Sequence, residues 1–433
     1  MTHPRVLHVG FLPIGSSNNS GLTLGSMFGD WPSDRLLQLC VRGSGGDAAG
    51  SVILTPGMVA PVDGIARAVL GRSLRAGPTD GLNHAVSRQG RNIPWRFRAR
   101  LTASVINDIG PIWIPDSLVR ELAAFKPDVI HSLLGGVRPM RLAYGLSKRL
   151  DIPLVPHFMD DWIDNLFADG QLFGLAHSAV DRSLSNVLSR APLCLTIGDD
   201  MRSEYAERLR RPCVAVGNSV DVAEYQALGR RPSAQSEPRR LRYVGGLHLG
   251  RADVIRSVAR VLARRDSQHR PWQVELCVPE PDIPLARALA GENSSVHLLG
   301  SVMPSDVPQT LVDADAVLFI ESAAPSINRF TRLSVSTKVP QYLASGRPVL
   351  VVGPEDQSSV RALRDSGACY FAGDGLDGDM VHAVMQKLEE SDLLDQSLLP
   401  ADTVQWIGER YGVQGTREKL RSSLELAVAL GPA

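Results

Sequence analysis

Short apolar runs alternate with segments whose apolar residues recur every third or fourth position along most of this chain, which predicts strands alternating with helices. Arg5 to Phe11 predicts a first strand. The loop after it, PIGSSNNSGLTLGSMFGDW, is rich in Gly, Ser and Asn before the pattern turns helical. From Leu118 the rhythm is regular: helix Leu118 to Ala124, strand Asp128 to Leu134, helix Arg138 to Leu150 and strand Pro153 to Phe158. It continues with a helix around Leu175 to Leu188, strand Leu193 to Ile197, helix Asp200 to Leu209 and strand Cys213 to Val216. Such alternation calls for a parallel sheet covered by helices on both faces.

Residues 229 to 240, GRRPSAQSEPRR, carry almost no apolar side chain and predict an exposed linker. A second alternating set follows, with strands expected at Leu241 to Val244, Val274 to Val278, Val296 to Leu299, Ala316 to Ile320, Val349 to Val352 and Cys369 to Phe371. Between the first two, Val254, Ile255, Val258, Val261 and Leu262 give one apolar helix face. The expected class is α/β, with two doubly wound domains. Their expected limits are 1–228 for the first, 229–240 for the linker and 241–400 for the second, with a helical segment at 401–433 packing back on the first domain.

A chain of 433 residues exceeds one ordinary core, in agreement with two domains. Basic and acidic residues balance at 46 each, which argues against a nucleic-acid surface over the whole protein. The five cysteines are scattered and form no Cys-x-x-Cys pair, so buried free thiols in a reducing compartment are expected. The N-terminus enters a strand at once, with no charged leader, and nothing resembles a membrane span, so the expected location is cytoplasmic. Residues 43 to 117 are the least regular part and are expected to be irregular, in part mobile. Within them Arg88, Arg91, Arg96, Arg98 and Arg100 interleave with Trp95 and Phe97. Either this is an ordinary solvated element, or it rests on an anionic surface such as the inner face of the cell membrane.

Ligands of open parallel sheets bind beyond the carboxyl ends of the strands. Polar and glycine residues follow several predicted strands: Gly135 and Gly136, Asp160 to Trp162, Gly245, Gly246, His248 and Arg251, and Glu321 to Arg332. The densest stretch is Ser334 to Gly353, SVSTKVPQYLASGRPVLVVG. Ser336 or Thr337 can cap a helix through Val339 to Ser345, with Pro340 in its first turn, and Gly346 and Pro348 end it. Lys338 then sets a cation against the positive end of a helix dipole, an arrangement suited to a bound anion or to a side chain that extends into solvent. Arg251, just before another predicted helix, repeats the conflict. A diphosphate held between the two resolves both.

SVSTKVPQYLASGRPVLVVG, with YVGGLHLGR before it and GNSVD at 217 to 221, resembles the nucleotide-binding half of retaining glycosyltransferases with the GT-B fold, family 4-like. SGLTLGSMFGDWPSDRL at 20 to 36, KPDVIH at 126 to 131 and PHFMDDW at 156 to 162 resemble members acting in bacterial surface-polysaccharide assembly. The resemblance implies two Rossmann-like domains facing across a cleft, the second binding a nucleotide-sugar donor and the first an acceptor, with domain closure completing the site. It implies no metal, the departing diphosphate being stabilised by Arg251 and Lys338, by backbone N–H groups at Ser336 and Thr337, and by Gly21 approaching from the N-terminal loop. Gly245 and Gly246 complete the expected donor site, and Arg332, with Arg329, either adds to it or solvates a loop.

The sequence also departs from the family. Two Glu residues separated by seven others, which many relatives use for the donor sugar and the ribose, are replaced by Leu333 and Gln341. Gln341 can still hydrogen-bond ribose hydroxyls, whereas the sugar contact must come from elsewhere, with Glu321 a candidate. His131 and His157, each expected to end a strand, can contact the donor sugar or the attacking hydroxyl, or serve as structural histidines. Asp161, with Asp160, is the acidic candidate for orienting the acceptor, and a helix cap is equally good chemistry for one of them. Asp313 and Asp315, and Asp377 and Asp379, read as turn and helix-start residues rather than as metal ligands.

The expected function is a metal-independent, retaining, hexosyltransferase-like enzyme moving a sugar from a nucleoside-diphosphate donor to a glycan or lipid-linked acceptor. A non-catalytic sugar-nucleotide-binding subunit is the alternative that Leu333 and Gln341 motivate, with an epimerase on the same fold a third.

Overall fold

The computed structural model describes residues 3–10, 13–16, 19–40, 51–53, 95–168, 171–229, 237–264, 270–374, 378–391, 394 and 401–433. The chain forms two compact units, the first comprising Met1–Asn218 with Thr416–Ala433 and the second Ser219–Gly415.

In chain order, the first unit contains β1 (Val6–Gly10), α1 (Asn19–Met27), β2 (Leu36–Cys40), β3 (Ser51–Ile53), α2 (Trp95–Ile109), α3 (Asp116–Ala124), β4 (Val129–Leu133), α4 (Val137–Leu150), β5 (Leu154–Phe158), α5 (Leu175–Leu188), β6 (Cys194–Thr196), α6 (Asp199–Leu209) and β7 (Cys213–Ala215). Its sheet is parallel, in the order β3-β2-β1-β4-β5-β6-β7. On one face, Val6, Val129, Val155 and Leu195 pack with Leu24, Met27, Phe28 and Trp31 from α1 and the residues after it. The last helix of the chain returns to this face with Leu420, Leu424 and Ala427. Arg417 of that helix donates to Ser26 O at 2.9 Å and lies 3.7 Å from Asp30. The last helix therefore packs on the first domain, as expected, whereas 401–415 of the segment expected there belongs to the second unit, with Ile407 and Tyr411 in its core.

The second unit contains α7 (Val222–Ala227), β8 (Arg239–Val244), α8 (Arg251–Ala263), β9 (Trp272–Cys277), α9 (Ile283–Glu292), β10 (Val296–Gly300), α10 (Val307–Val312), β11 (Ala316–Ile320), α11 (Pro325–Thr331), α12 (Lys338–Ala344), β12 (Val349–Val352), α13 (Ser358–Asp365), β13 (Cys369–Phe371), α14 (Gly378–Glu389) and α15 (Ala401–Tyr411). The last helix, α16 (Val413–Leu430), begins here and ends in the first unit. The sheet is again parallel, in the order β10-β9-β8-β11-β12-β13. Burial on both faces makes its central strands continuous apolar runs, which is why β11 and β12 have the limits that the sequence predicts; the half-buried edge strand β13 keeps its predicted limits as well.

Several expectations change. The Gly- and Ser-rich stretch after β1 contains α1, so Gly21 lies in a helical turn and its carbonyl accepts from Gly15 N at 2.9 Å. The structure adds β2, which the pattern did not predict, and finds β3 and α2 inside the stretch expected to be irregular. Arg88 and Arg91 lie outside the described residues, and Trp95 to Arg100 begin α2. The expected linker falls inside the second unit, with 230–236 outside the described residues.

Leu424 is fully buried in the core of the first unit. Leu424→Ala should lower the unfolding free energy of that unit by about 2–5 kcal/mol, read as a lower urea midpoint. An unchanged midpoint would deny α16 its place in the core.

Candidate functional site

Strand order reverses at β8/β11 in the second unit, and the residues following both strands converge there. Tyr243, the penultimate residue of β8, is fully buried and donates from its hydroxyl to Gly246 O at 2.6 Å. Lys338, at the start of α12, donates from Nζ to the same hydroxyl at 3.2 Å, and its ammonium lies 4.4 Å from the Tyr243 ring centroid. Gly245 makes this approach possible. Its φ of 141° belongs to the region that glycine favours, and a Cβ there would stand 2.2 Å from Lys338 Nζ. Tyr342 ties α12 to β8, its hydroxyl donating to Val244 O and accepting from Val244 N, both at 3.2 Å. Asp282 accepts from Leu247 N at 2.8 Å and fixes the loop after Gly246.

Arg251 opens α8 and is buried, with its guanidinium 3.6 Å from the Glu321 carboxylate just beyond β11. Its Nε is buried without a hydrogen-bond partner. Desolvation disfavours the Arg251 cation, but Tyr243 and Glu321 hold its pKa above the ordinary value. The opposite happens at Lys338. Desolvation first, and the Arg251 charge second, push its ammonium pKa well below the usual range, against the pull of Glu321. Of the residues expected here, the structure brings together Gly245, Gly246, Arg251, Glu321 and Lys338. The sequence reading missed Tyr243 and Tyr342, whose only local signal was a polar-tipped side chain among apolar neighbours, and Asp282, one acid in the loop VPEPDIP.

The other expected donor contacts sit as follows. Ser336 N donates to Ser359 Oγ at 3.0 Å, while Ser336 Oγ accepts from Lys338 N at 3.3 Å. Thr337 and Gln341 are half-buried, at the start and in the middle of α12. Arg332 ends α11, and its carbonyl accepts from Ser358 N at 2.8 Å. Leu333 is a core residue at 2% exposure, and Glu321, the candidate to replace a carboxylate there, is the counter-ion of Arg251. Asp315 accepts from Arg240 N at 2.8 Å, a structural role. Among the described residues, no group of three His, Cys, Asp or Glu side chains is placed to hold a metal ion.

The first unit reverses strand order at β1/β4, and there His8, His131 and His157 form a buried chain. His8 Nδ1 lies 2.9 Å from His131 Nδ1, His131 Nε2 lies 3.2 Å from His157 Nδ1, and His157 Nε2 lies 2.9 Å from Val216 O. His131 is the middle residue of β4 rather than its end, and both expected histidines are fully buried. Burial lowers the pKa of His8 to about 3 and of His157 to about 4, and lowers that of His131 well below its usual value. Asp161 is also buried and accepts from the Tyr205 hydroxyl at 2.9 Å, a contact that with burial raises the tyrosine pKa.

No protein-family model and no curated protein matches the sequence. Solved structures do match over the whole chain. Anabaena HepE in complex with UDP superposes with a TM-score of 0.60 at 12% identity, covering 98% of this chain and 100% of that one. The α,α-trehalose 6-phosphate synthase of Burkholderia multivorans gives a TM-score of 0.61 at 11% identity, covering 99% and 98%. The lipopolysaccharide outer core galactosyltransferase WaaB gives 0.54 at 12%, covering 97% and 99%. The fold is that of the GT-B glycosyltransferases.

The histidine chain makes stability depend on pH. The folded pKa values lie below the unfolded value near 6.5, so the unfolded chain binds protons that the native chain does not. The stabilisation is therefore complete above pH 6.5 and is lost as pH falls toward the folded values, roughly 2 kcal/mol for each of His8 and His157 by pH 5. Urea unfolding at pH 7.5, 6 and 5 should show this fall, and His157→Gln should reduce its slope. Equal slopes in both proteins would contradict the neutral chain.

Proposed function

We propose that this protein is a glycosyltransferase that binds a nucleoside-diphosphate sugar at the β8/β11 reversal and transfers the sugar, with retention and without a metal, to a glycan or lipid-linked acceptor. The observation that carries the reading is the buried Arg251 with its unpartnered Nε, beside a Lys338 whose proton is destabilised. Arg251 is paired with Glu321, so a protonated Lys338 adds a positive charge that this pair does not balance. A diphosphate supplies the missing acceptor for Arg251 and the anion that restores the Lys338 proton. In the transfer step the same two cations stabilise the charge that develops on the leaving diphosphate. UDP is the favoured nucleotide, because HepE, of like fold, is seen with UDP and with UDP-glucose. Among acceptors, a surface glycan in assembly fits the family-like segments of the first domain. The alternative, a sugar-nucleotide-binding subunit without turnover, draws on the burial of Leu333 and the pairing of Glu321 with Arg251.

Calorimetric titration with UDP, GDP, dTDP and ADP, each with and without a chelator, tests this reading. Micromolar binding of one nucleotide is expected, unaffected by the chelator and lost in Lys338→Ala. In transfer assays that substitution should cost roughly 3–4 kcal/mol of transition-state stabilisation. Absence of binding to all four would refute the donor site, and binding without turnover for any sugar would favour the subunit.

We also propose that the basic and aromatic residues leading into α2 rest on an anionic membrane surface. Sedimentation with anionic liposomes at low salt, reversed at high salt, is the expected result, and salt-insensitive or absent binding would count against it.

A further inference from the structure

Cys194 on β6 and Cys213 on β7 are register partners in neighbouring parallel strands. Register partners project to the same face of a sheet, and neighbouring strands lie about 4.8 Å apart, within the Cα separation that a disulfide spans. Both residues are free thiols. A hydrogen bond joins them, with the Cys194 thiol donating to the Cys213 sulfur. As a thiol, Cys213 directs its own weak S–H toward Arg211 O at 3.6 Å.

The two sulfurs are not equivalent. Cys194 is fully buried, whereas Cys213 is half-buried on β7, the outermost strand of the described sheet on that side. The hydrogen bond from Cys194, helped by the positive charge of Arg202 on α6, holds the Cys213 pKa below the ordinary thiol range against the effect of burial. The same hydrogen bond, with burial, raises that of Cys194 well above it. A nucleophilic sulfur therefore lies near the surface with a protonated sulfur behind it. Cys369 on β13 is also half-buried, but its register partner is Val349, and burial pushes its pKa up to about 11. An attacking thiolate with a second thiol within its reach is the arrangement that thiol–disulfide exchange requires.

We propose that Cys213 and Cys194 form a thiol–disulfide exchange site, with Cys213 attacking a low-molecular-weight disulfide such as glutathione disulfide and Cys194 resolving the adduct. In the first step the Cys213 thiolate attacks one sulfur of the small disulfide, whose S–S bond breaks as the mixed disulfide on Cys213 forms. The departing thiolate takes up the proton that Cys213 gave up. In the second step the Cys194 sulfur attacks Cys213 Sγ, the mixed disulfide breaks, and the proton of Cys194 passes to the second small thiol. Two protein thiols are oxidised to one disulfide, and one small disulfide is reduced to two thiols. The new bond joins β6 to β7 and closes the loop through α6. None of these residues belongs to the β8/β11 site, so the proposal stands or falls apart from the glycosyltransferase reading.

The test is a timed reaction of the full chain with glutathione disulfide at pH 7.5, quenched by alkylation and read by mass spectrometry of the intact protein and its peptides. A single adduct on Cys213 should form first, then give way to a peptide pair cross-linked through Cys194 and Cys213. Cys369 should react about tenfold more slowly or less, because so little of it is thiolate. In Cys194→Ala the adduct on Cys213 should persist. In Cys213→Ala neither adduct nor cross-link should form at this pair, and dithiothreitol should return the oxidised wild type to two free thiols. The wild type alone can refute the proposal, whether or not a variant folds. An adduct on Cys213 that never resolves, modification of Cys369 at the rate of Cys213, or a cross-link that forms only in urea overturns it.

Discussion

A parallel sheet whose strand order reverses sends successive crossovers to opposite faces, and the carboxyl edge at the reversal is left without a covering helix. Both units of this chain are built on that constraint, at β1/β4 and at β8/β11. The sheets share a plan but fill the reversal with opposite chemistry. The first unit places three neutral imidazoles there, and the second places Arg251, Glu321 and Lys338 around Tyr243. The Gly245 backbone then serves the charged site directly, because no side chain could share its place with Lys338 Nζ.

The two fillings obey different energetics. Charges buried at the β8/β11 reversal must be balanced. Arg251 is kept charged by Tyr243 and Glu321, and Lys338 yields because burial and the Arg251 charge outweigh the pull of a Glu321 already paired with Arg251. In the first unit no ion pair is needed, because each imidazole supplies its neighbour with the donor or acceptor that the neighbour lacks. The chain consequently tolerates deep burial at neutral pH and becomes costly only when protons are forced onto it.

Much of this was legible in the sequence. Continuous apolar runs such as Ala316–Ile320 and Val349–Val352 give a parallel strand no other place than the sheet interior, and their limits follow. The cations at Arg251 and Lys338 were visible because each conflicts with a helix start, a local electrostatic signal. Other features depended on partners distant in sequence. The β2 run LLQLC is interrupted by Gln38, which is tolerated because its Oε1 accepts from Ile14 N at 2.7 Å. Asn, Ser and two glycines hid α1, whose Leu24 and Met27 meet the sheet together with Phe28 just after it. His8 read as one polar letter in the strand VLHVG, and its meaning comes from His131, 123 residues away.

The unpartnered atoms at the two reversals have opposite polarity. His8 Nε2 is an acceptor without a donor, and Arg251 Nε is a donor without an acceptor. A buried polar atom left unsatisfied costs about 1–3 kcal/mol, and an apolar side chain at either position would avoid that cost. Such a cost is understandable where a ligand removes it. A hydrogen-bond donor would satisfy the first atom, and an acceptor or anion the second.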